Sequence, residues 1–182
     1  TSRLGRHALT YGVEYRNDQV TSQYLEDPSV WSGWAWDPDT GLFSEEGSVT
    51  GLYVQDHWQL TPDLLLSVGV RFDRYQLKQQ TLNDDTDSDG ISPNIGFSYN
   101  LTDSLKLTAG YAEALRGKEI GDAFTLEAAP GATTIAPDLD AEQVDNTEIG
   151  LEYTSANLLA RVSVYQSDIN DVILDQQGRG VY

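Results

Sequence analysis

The sequence predicts an all-β fold, an antiparallel transmembrane β-barrel of which this chain forms a part. Three observations predict it: long segments of alternating apolar and polar residues, links of alternating short and long length, and aromatic residues near the ends of the apolar runs. In such a barrel the apolar residues face lipid and the polar residues face the lumen, at about ten residues per span.

Alternation with period two is the dominant signal along the chain and predicts strands. The polar side of each segment carries Gly, Ser, Thr, Asn and charged residues, which is too polar for the core of a β-sandwich. The seven predicted strands, in chain order, lie at 9–16, 51–59, 64–73, 91–101, 105–112, 146–153 and 158–165.

The links between these segments alternate in length. Tight turns are expected at 60–63, 100–104 and 154–157, whereas long links are expected at 17–47, 77–90 and 114–143. Outer-membrane barrels show this asymmetry, with short periplasmic turns and long extracellular loops.

Aromatic residues mark both ends of the apolar runs. Trp58, Tyr99 and Tyr153 precede the short turns and predict an inner girdle, and the outer girdle is predicted from Tyr15, Phe72 and Tyr111. Asp56 interrupts the apolar parity. We expect either a bulge or a position near the lipid headgroups there.

The composition excludes several classes of protein. The 182 residues contain 29 Asp and Glu against 11 Lys and Arg, a net charge of −18 that disfavours nucleic-acid binding. Cysteine is absent, which excludes a disulfide framework or a thiol nucleophile. The only histidines are His7 and His57, both in predicted strands, and no serine-centred nucleophile motif accompanies them. We therefore expect no enzymatic activity.

The segment from about 51 to 173 resembles the TonB-dependent outer-membrane receptors. Each motif is short, but their order and spacing together are specific. The matching residues are Tyr53-Val54-Gln55-Asp56 with Trp58, Leu60 and Thr61; Gly69, Arg71, Asp73 and Tyr75; Ser92-Pro93, Gly96, Tyr99 and Leu101-Thr102-Asp103; Leu115-Arg116-Gly117-Lys118 in place of Phe-Arg-Ala-Pro; Ala136-Pro137-Asp138-Leu139 in place of Asn-Pro-Asp-Leu; and Glu142, Glu148 and Gly150.

The resemblance implies a barrel of about 22 strands, of which this chain supplies about seven, with residues 1–182 belonging to the barrel domain. It also implies a plug domain, expected outside this chain, and the energy-coupling partner TonB. The expected location is the outer membrane of a Gram-negative bacterium, in contact with lipid and lipopolysaccharide. The expected function is uptake of a scarce nutrient, above all a ferric siderophore.

Two architectural alternatives remain at this point. A complete eight-stranded barrel has about this length, but it needs an even strand count and an alternating last strand, which Gly178-Arg179-Gly180 interrupts. A passive porin-like barrel without energy coupling would share the same alternation. An upstream plug of about 150 residues, the size of an ordinary domain, would distinguish the receptor from both.

The first long link contains a dense group of aromatic residues. Trp31, Trp34 and Trp36 lie within six residues of one another. Such rings are suited to stacking on a bulky ligand such as a ferric siderophore or haem. The alternative is that they pack on one another or belong to the girdle.

Asp85, Asp87 and Asp89 precede Gly90 in a segment expected to be an extracellular loop. Alternate carboxylates followed by a Gly turn are suited to Ca²⁺. An EF-hand is excluded because Gly96 stands at the twelfth position, where a Glu is needed. The alternatives are a looser Ca²⁺ site and a solvated acidic turn.

Arg116 lies at the outer end of the fifth predicted strand, on the lumen-facing parity. It is suited to attracting an anionic siderophore or to pairing with Glu113, Glu119 or Asp122. Haem receptors of this family usually carry a ligand histidine between the segments that correspond here to Leu115–Lys118 and Ala136–Leu139. No His lies between Arg116 and Ala136. A haem receptor is therefore the alternative rather than the first expectation.

Overall fold

The computed structural model describes residues 1–23, 42–79, 84–118 and 140–172. These residues form eight antiparallel strands, and they contain no helix long and apolar enough to span a membrane. The strands are β1 (Ser2–Leu4), β2 (His7–Gln23), β3 (Leu42–Thr61), β4 (Leu64–Gln79), β5 (Asp84–Thr102), β6 (Leu105–Arg116), β7 (Glu142–Thr154) and β8 (Leu159–Asn170).

The strands form one sheet in which each pairs with its neighbours in the chain, in the order β1 to β8. All seven predicted strands are confirmed. β1 was not predicted because its three residues are too few to show alternation. Among the described strands the order is linear, with no pairing of β1 to β8, so they do not close into an eight-stranded barrel.

The strands are longer than their alternating segments. β3 has 20 residues and β5 has 19, and both extend beyond the alternating run toward the long links. The expected long link at 77–90 is therefore wrong, because β4 and β5 stay paired as far as Gln79 and Asp84 and only 80–83 lies between the strands. The other two expected long links fall largely on residues outside those described: β2 ends at Gln23 and β3 begins at Leu42, while β6 ends at Arg116 and β7 begins at Glu142.

Register divides the sheet into two sides. We use outer side for the side that carries Val54 and Val70, which are cross-strand partners, and inner side for the side of Tyr53 and Arg71. The outer-side residues within 7–15, 52–58, 64–72, 91–101, 105–111, 149–153 and 160–164 are called the apolar band. The band contains all six residues predicted for the two aromatic girdles.

Short turns join β1 to β2, β3 to β4, β5 to β6 and β7 to β8 at one end of the sheet, here called the short-turn end. Gly5 permits the first turn because it adopts a positive φ of 61°. Thr61 caps the second turn, where its Oγ1 accepts hydrogen bonds from the backbone N–H groups of Asp63 and Leu64. Register shifts at Gln59/Thr61 and Asn100/Thr102 add a local irregularity next to two of these turns.

Among the described residues, the buried non-glycine side chains lie on the inner side toward the opposite end, here called the long-link end. They are Val49 and Leu77 together with three charged residues, Glu45, Asp73 and Lys118. Charged side chains are seldom this buried unless they have partners. This concentration directs attention to the inner side at the long-link end.

Candidate functional site

Residues 117 and 118, which directly follow β6, lie against the inner side of β4 and β5. A Cβ on Gly117 would lie 2.4 Å from Cγ of Tyr75 and 2.5 Å from Oγ of Ser88, so only glycine permits this approach. The Tyr75 hydroxyl donates to the Leu115 carbonyl at 3.4 Å, and the Leu115 N–H donates to Ser92 Oγ at 3.1 Å. These contacts bring Lys118 onto the sheet, where only 4% of the residue is exposed.

Lys118 lines a cavity of about 420 Å³ at the long-link end. Arg16 and Asp18 form another part of its wall, with Arg16 Nε lying 2.8 Å from Asp18 Oδ2. The remaining lining residues are Val20, Gly47, Ser48, Val49 and Gln76. Two cationic side chains over a small apolar surface suit a ligand that combines anionic oxygens with hydrophobic parts.

Nearer the centre of the inner side, Arg71 is held by two carboxylates. Its Nε and Nη2 donate to the two oxygens of Asp73 at 2.6 Å each, and Nη2 also donates to Glu14 at 3.0 Å. The guanidinium carbon lies 6.0 Å from the centroid of the Tyr53 ring. This bidentate arrangement fixes the guanidinium plane and joins β2, β3 and β4 across the inner side.

A second concavity of about 540 Å³ crosses the inner side of β4 to β8. Its floor is made by Gly96 and Gly110, which are cross-strand partners without side chains. Glu148, Tyr165 and Ser167 rise along one edge of this concavity. The inner side therefore presents a polar trough rather than a packed core.

At the short-turn end, the inner side carries a separate charge network. Glu152 accepts a hydrogen bond from Lys106 Nζ at 3.0 Å and another from Arg161 Nε at 2.5 Å. The three residues lie on β6, β7 and β8 and are cross-strand neighbours. Glu152 pairs with a cation on each neighbouring strand, so this network holds β6, β7 and β8 together.

Of the four residues predicted to bind the ligand, the structure describes only Arg116. Trp31, Trp34 and Trp36 lie outside the described residues. Arg116 closes β6, and its Nη1 donates to Glu142 Oε2 at 2.9 Å. Arg116 therefore pairs with a carboxylate on β7, and a ligand contact by Arg116 stays a prediction.

Asp85, Asp87 and Asp89 lie in strand β5 and not in a loop, which corrects their expected placement. They occupy the outer side beyond the apolar band, opposite Lys78, Gln76 and Arg74 of β4. Arg74 approaches Asp87 at 3.6 Å. Within the described residues no group of three or more His, Asp or Glu is placed to hold a metal ion, and Ca²⁺ binding stays a prediction without structural support.

Sequence reasoning missed Arg16, Asp18 and Lys118 as site residues. Arg16 and Asp18 share the polar parity of β2, and that parity was a usable signal. No such signal exists for Lys118, because its burial depends on the fold of the chain beyond β6. The nearest indication in the sequence is that Lys118 ends the segment Leu115-Arg116-Gly117-Lys118, which resembles a motif of the receptor family.

Comparisons with known proteins agree with this architecture. The chain is 28% identical to the heme/hemopexin utilization protein C of Haemophilus influenzae over 160 residues, covering 82% of this chain and 21% of that protein. It is 26% identical to the ferric enterobactin receptor of Pseudomonas aeruginosa, covering 91% of this chain and 23% of that protein. The chain thus spans less than a quarter of the length of these curated relatives.

Among solved structures, the FrpB iron transporter of Neisseria meningitidis superimposes with a TM-score of 0.76 at 26% identity, over 94% of this chain and 27% of that one. The copper transporter OprC shares the fold with a TM-score of 0.71 at 21% identity, over 93% of this chain and 28% of that one. The family model described as TonB dependent receptor-like, beta-barrel, matches residues 1–182. The chain therefore belongs to the TonB-dependent receptor β-barrel family.

Proposed function

We propose that the chain forms part of the wall of an outer-membrane receptor that takes up a scarce nutrient with energy supplied through TonB. The observation that carries the proposal is the family match over all 182 residues. The two-sided sheet supports it, since the apolar band suits contact with lipid and the inner side suits a hydrated or plugged lumen. The proposed partners are the plug domain, TonB, outer-membrane lipid and lipopolysaccharide.

We further propose that the nutrient is a ferric siderophore. The cavity bounded by Arg16 and Lys118 supports this choice, because ferric siderophores present anionic oxygens on a bulky body. The names of two relatives, a ferric enterobactin receptor and an iron transporter, point in the same direction.

Haem is the alternative ligand, since another relative is named for heme and hemopexin utilization. The positions of the two histidines disfavour it. His7 lies on the outer side near the short turns, and the ring of His57 is hydrogen-bonded to Ser67 Oγ at 2.7 Å on the inner side. Neither is placed at the long-link end, where an incoming haem would need an iron ligand.

The test is uptake by a receptor-deletion strain that carries the full-length gene. Cells are supplied with radiolabelled ferric enterobactin or with haem as the iron source, in hosts with and without TonB. We expect uptake of the ferric siderophore only in the host with TonB. Equal uptake without TonB would contradict the energy-coupled function, and growth on haem alone would replace the siderophore by the alternative.

Two sets of variants then locate the ligand. Trp31→Ala, Trp34→Ala and Trp36→Ala combined, and Arg16→Gln with Lys118→Gln, are each expected to raise the half-saturation concentration of uptake. Arg161→Gln is the matched control, because it removes a cation from the inner side at the short-turn end. An unchanged half-saturation concentration in both sets would leave these residues with structural roles.

A further inference from the structure

The outer side carries a polar cluster where an apolar surface is expected. His7 Nδ1 lies 2.7 Å from Asp56 Oδ2, and the imidazole stacks on Trp58 with ring centroids 5.0 Å apart and planes inclined by 23°. His7 and Asp56 are the only charged or imidazole side chains in the described apolar band. The register through Asp56 is regular, so the bulge considered from the sequence is absent there.

Strand stability does not explain this pair. Asp56 Oδ1 is buried and has no hydrogen-bond partner among the described residues, which is unfavourable for a carboxylate oxygen. An apolar residue would suit the band at this position. An unsatisfied carboxylate kept next to an imidazole therefore indicates that the imidazole is being oriented.

The orientation leaves one side of the ring available. Since Nδ1 faces Asp56, Nε2 is the nitrogen that can meet a ligand, and 39% of the His7 side chain is exposed. Arg6 precedes His7 in the turn and is exposed, and its Nη1 donates to the Leu60 carbonyl at 3.0 Å. That bond fixes the guanidinium at the short-turn end with further N–H donors remaining.

We propose that Arg6 and His7 bind the phosphate of a membrane phospholipid in the leaflet at the short-turn end. The Arg6 guanidinium and the His7 ring suit one phosphodiester anion, because an imidazole that carries a hydrogen on both nitrogens donates from Nε2 to the phosphate and from Nδ1 to Asp56. The apolar band continues from this point along β2 through Leu9 and Val13, both outer-side residues, and offers a surface for the acyl chains. Asp56 is a positioning residue, and Trp58 supports the ring.

This inference rests on the barrel being embedded in a bilayer, as proposed above, but not on the identity of the nutrient. The probe is palmitoyl-oleoyl phosphatidylglycerol, compared with palmitoyl-oleoyl glycerol, which has the same acyl chains and no phosphate. Binding of each to the full-length receptor in nonionic detergent is measured by native mass spectrometry. We expect at least tenfold tighter binding of the phospholipid, since a charge-assisted hydrogen bond contributes about a factor of ten.

Variants locate the site. Arg6→Gln combined with His7→Gln is expected to remove the preference for phosphate, and Asp56→Asn to reduce it several-fold while binding of the phosphate-free lipid stays unchanged. The matched control is Arg161→Gln combined with His57→Gln, which changes the same residue types on the inner side. The control is expected to retain the full preference.

Equal affinity of the unmodified receptor for the two lipids would overturn the proposal without any variant. An undiminished preference in the Arg6 and His7 double variant would overturn it as well. If the unmodified receptor preferred the phospholipid but showed no TonB-dependent uptake, the proposed transport function would be contradicted and the lipid site would be retained.

Discussion

The two ends of the sheet differ in the polarity of the outer side and in where the buried side chains lie. At the short-turn end the outer side is apolar except for His7 and Asp56, and the turns are tight. Backbone hydrogen bonds such as Asn100 N–H to the Asp63 carbonyl at 2.9 Å link neighbouring hairpins there. At the long-link end the same strands continue with polar residues on the outer side, and burial shifts to the inner side around Asp73 and Lys118. The outer side of one sheet thus passes from an apolar surface, suited to lipid, to a polar surface, suited to water.

The difference shows which forces act on each half. In the apolar band, stability depends on which solvent the side chains meet, because backbone groups are already paired between strands. At the long-link end, stability depends on particular contacts between side chains on the inner side. Substitutions that are harmless at one end are therefore expected to be harmful at the other.

The largest expected effect comes from placing a charge in the apolar band. Val68→Arg is expected to destabilise the receptor by about 2 to 4 kcal/mol, the range for a cationic residue facing the middle of a bilayer. Val68 lies on the outer side of β4, midway along the band. The free energy of unfolding is measured by guanidinium titration of the full-length receptor in phospholipid vesicles.

The matched control is Gln19→Arg, on β2 and on the same side of the sheet but beyond the band. It is expected to change the free energy of unfolding by less than about 0.5 kcal/mol, as is usual for an exposed position. Equal destabilisation by the two substitutions would mean that the outer side faces the same surroundings at Val68 as at Gln19.

The second effect concerns packing at the long-link end. Gly117→Ala is expected to destabilise by roughly 1 to 3 kcal/mol, the range for overpacking, because its methyl group would collide with Tyr75. The segment would then lift from the inner side and expose Lys118. Faster tryptic cleavage after Lys118 is the most direct measurement.

Gly110→Ala serves as the comparison on the inner side. Its Cβ would lie 3.6 Å from the Ile95 carbonyl oxygen, which is an ordinary contact. We expect unchanged cleavage after Lys118 and a small change in stability. If both variants were cleaved at the rate of the unmodified receptor, the packing of Gly117 against Tyr75 would not be what holds the segment.

The third effect tests the charge network between the two ends. Asp73→Asn removes the charge that holds Arg71 in a bidentate pair, while the Asp73 side chain is only 4% exposed. Because about a third of Arg71 remains exposed to solvent, we expect a loss of about 1 to 2 kcal/mol rather than the larger effect of a fully buried pair. Glu14→Gln, at the exposed partner of Arg71, is expected to have the smaller effect in the same titration.

If Asp73→Asn and Glu14→Gln were equally destabilising, the burial of Asp73 would not make its pair with Arg71 stronger than the exposed pair of Arg71 with Glu14. Additive losses in the double variant would likewise contradict a shared network, since residues that share a partner are expected to be coupled.

The same division explains what the sequence could predict. The seven longer strands could be found because apolar and polar residues alternate in the band and contrast strongly. That contrast disappears where β4 and β5 continue with polar residues on the outer side, so the sequence predicts a loop where the structure has the paired segment from Asp85 to Asp89. The pairing of His7 with Asp56 joins residues 49 apart, and no period in the sequence reveals it.

The smallest effect on stability is expected at Arg116. Its variants distinguish the ligand contact that the sequence predicts from the ion pair with Glu142 in the structure. Its side chain is 47% exposed and its pair with Glu142 lies at the end of β6, so Arg116→Gln is expected to change the free energy of unfolding by less than about 1 kcal/mol. If Glu142 is its functional partner, Arg116→Gln and Glu142→Gln will have similar effects on stability and neither will change the half-saturation concentration of siderophore uptake more than twofold. A tenfold increase confined to Arg116→Gln would instead assign the guanidinium to the ligand, as its position on the lumen-facing parity first suggested. The long-link end would then bind its ligand across the whole inner side from Arg16 to Arg116, and not only in the cavity beside Lys118.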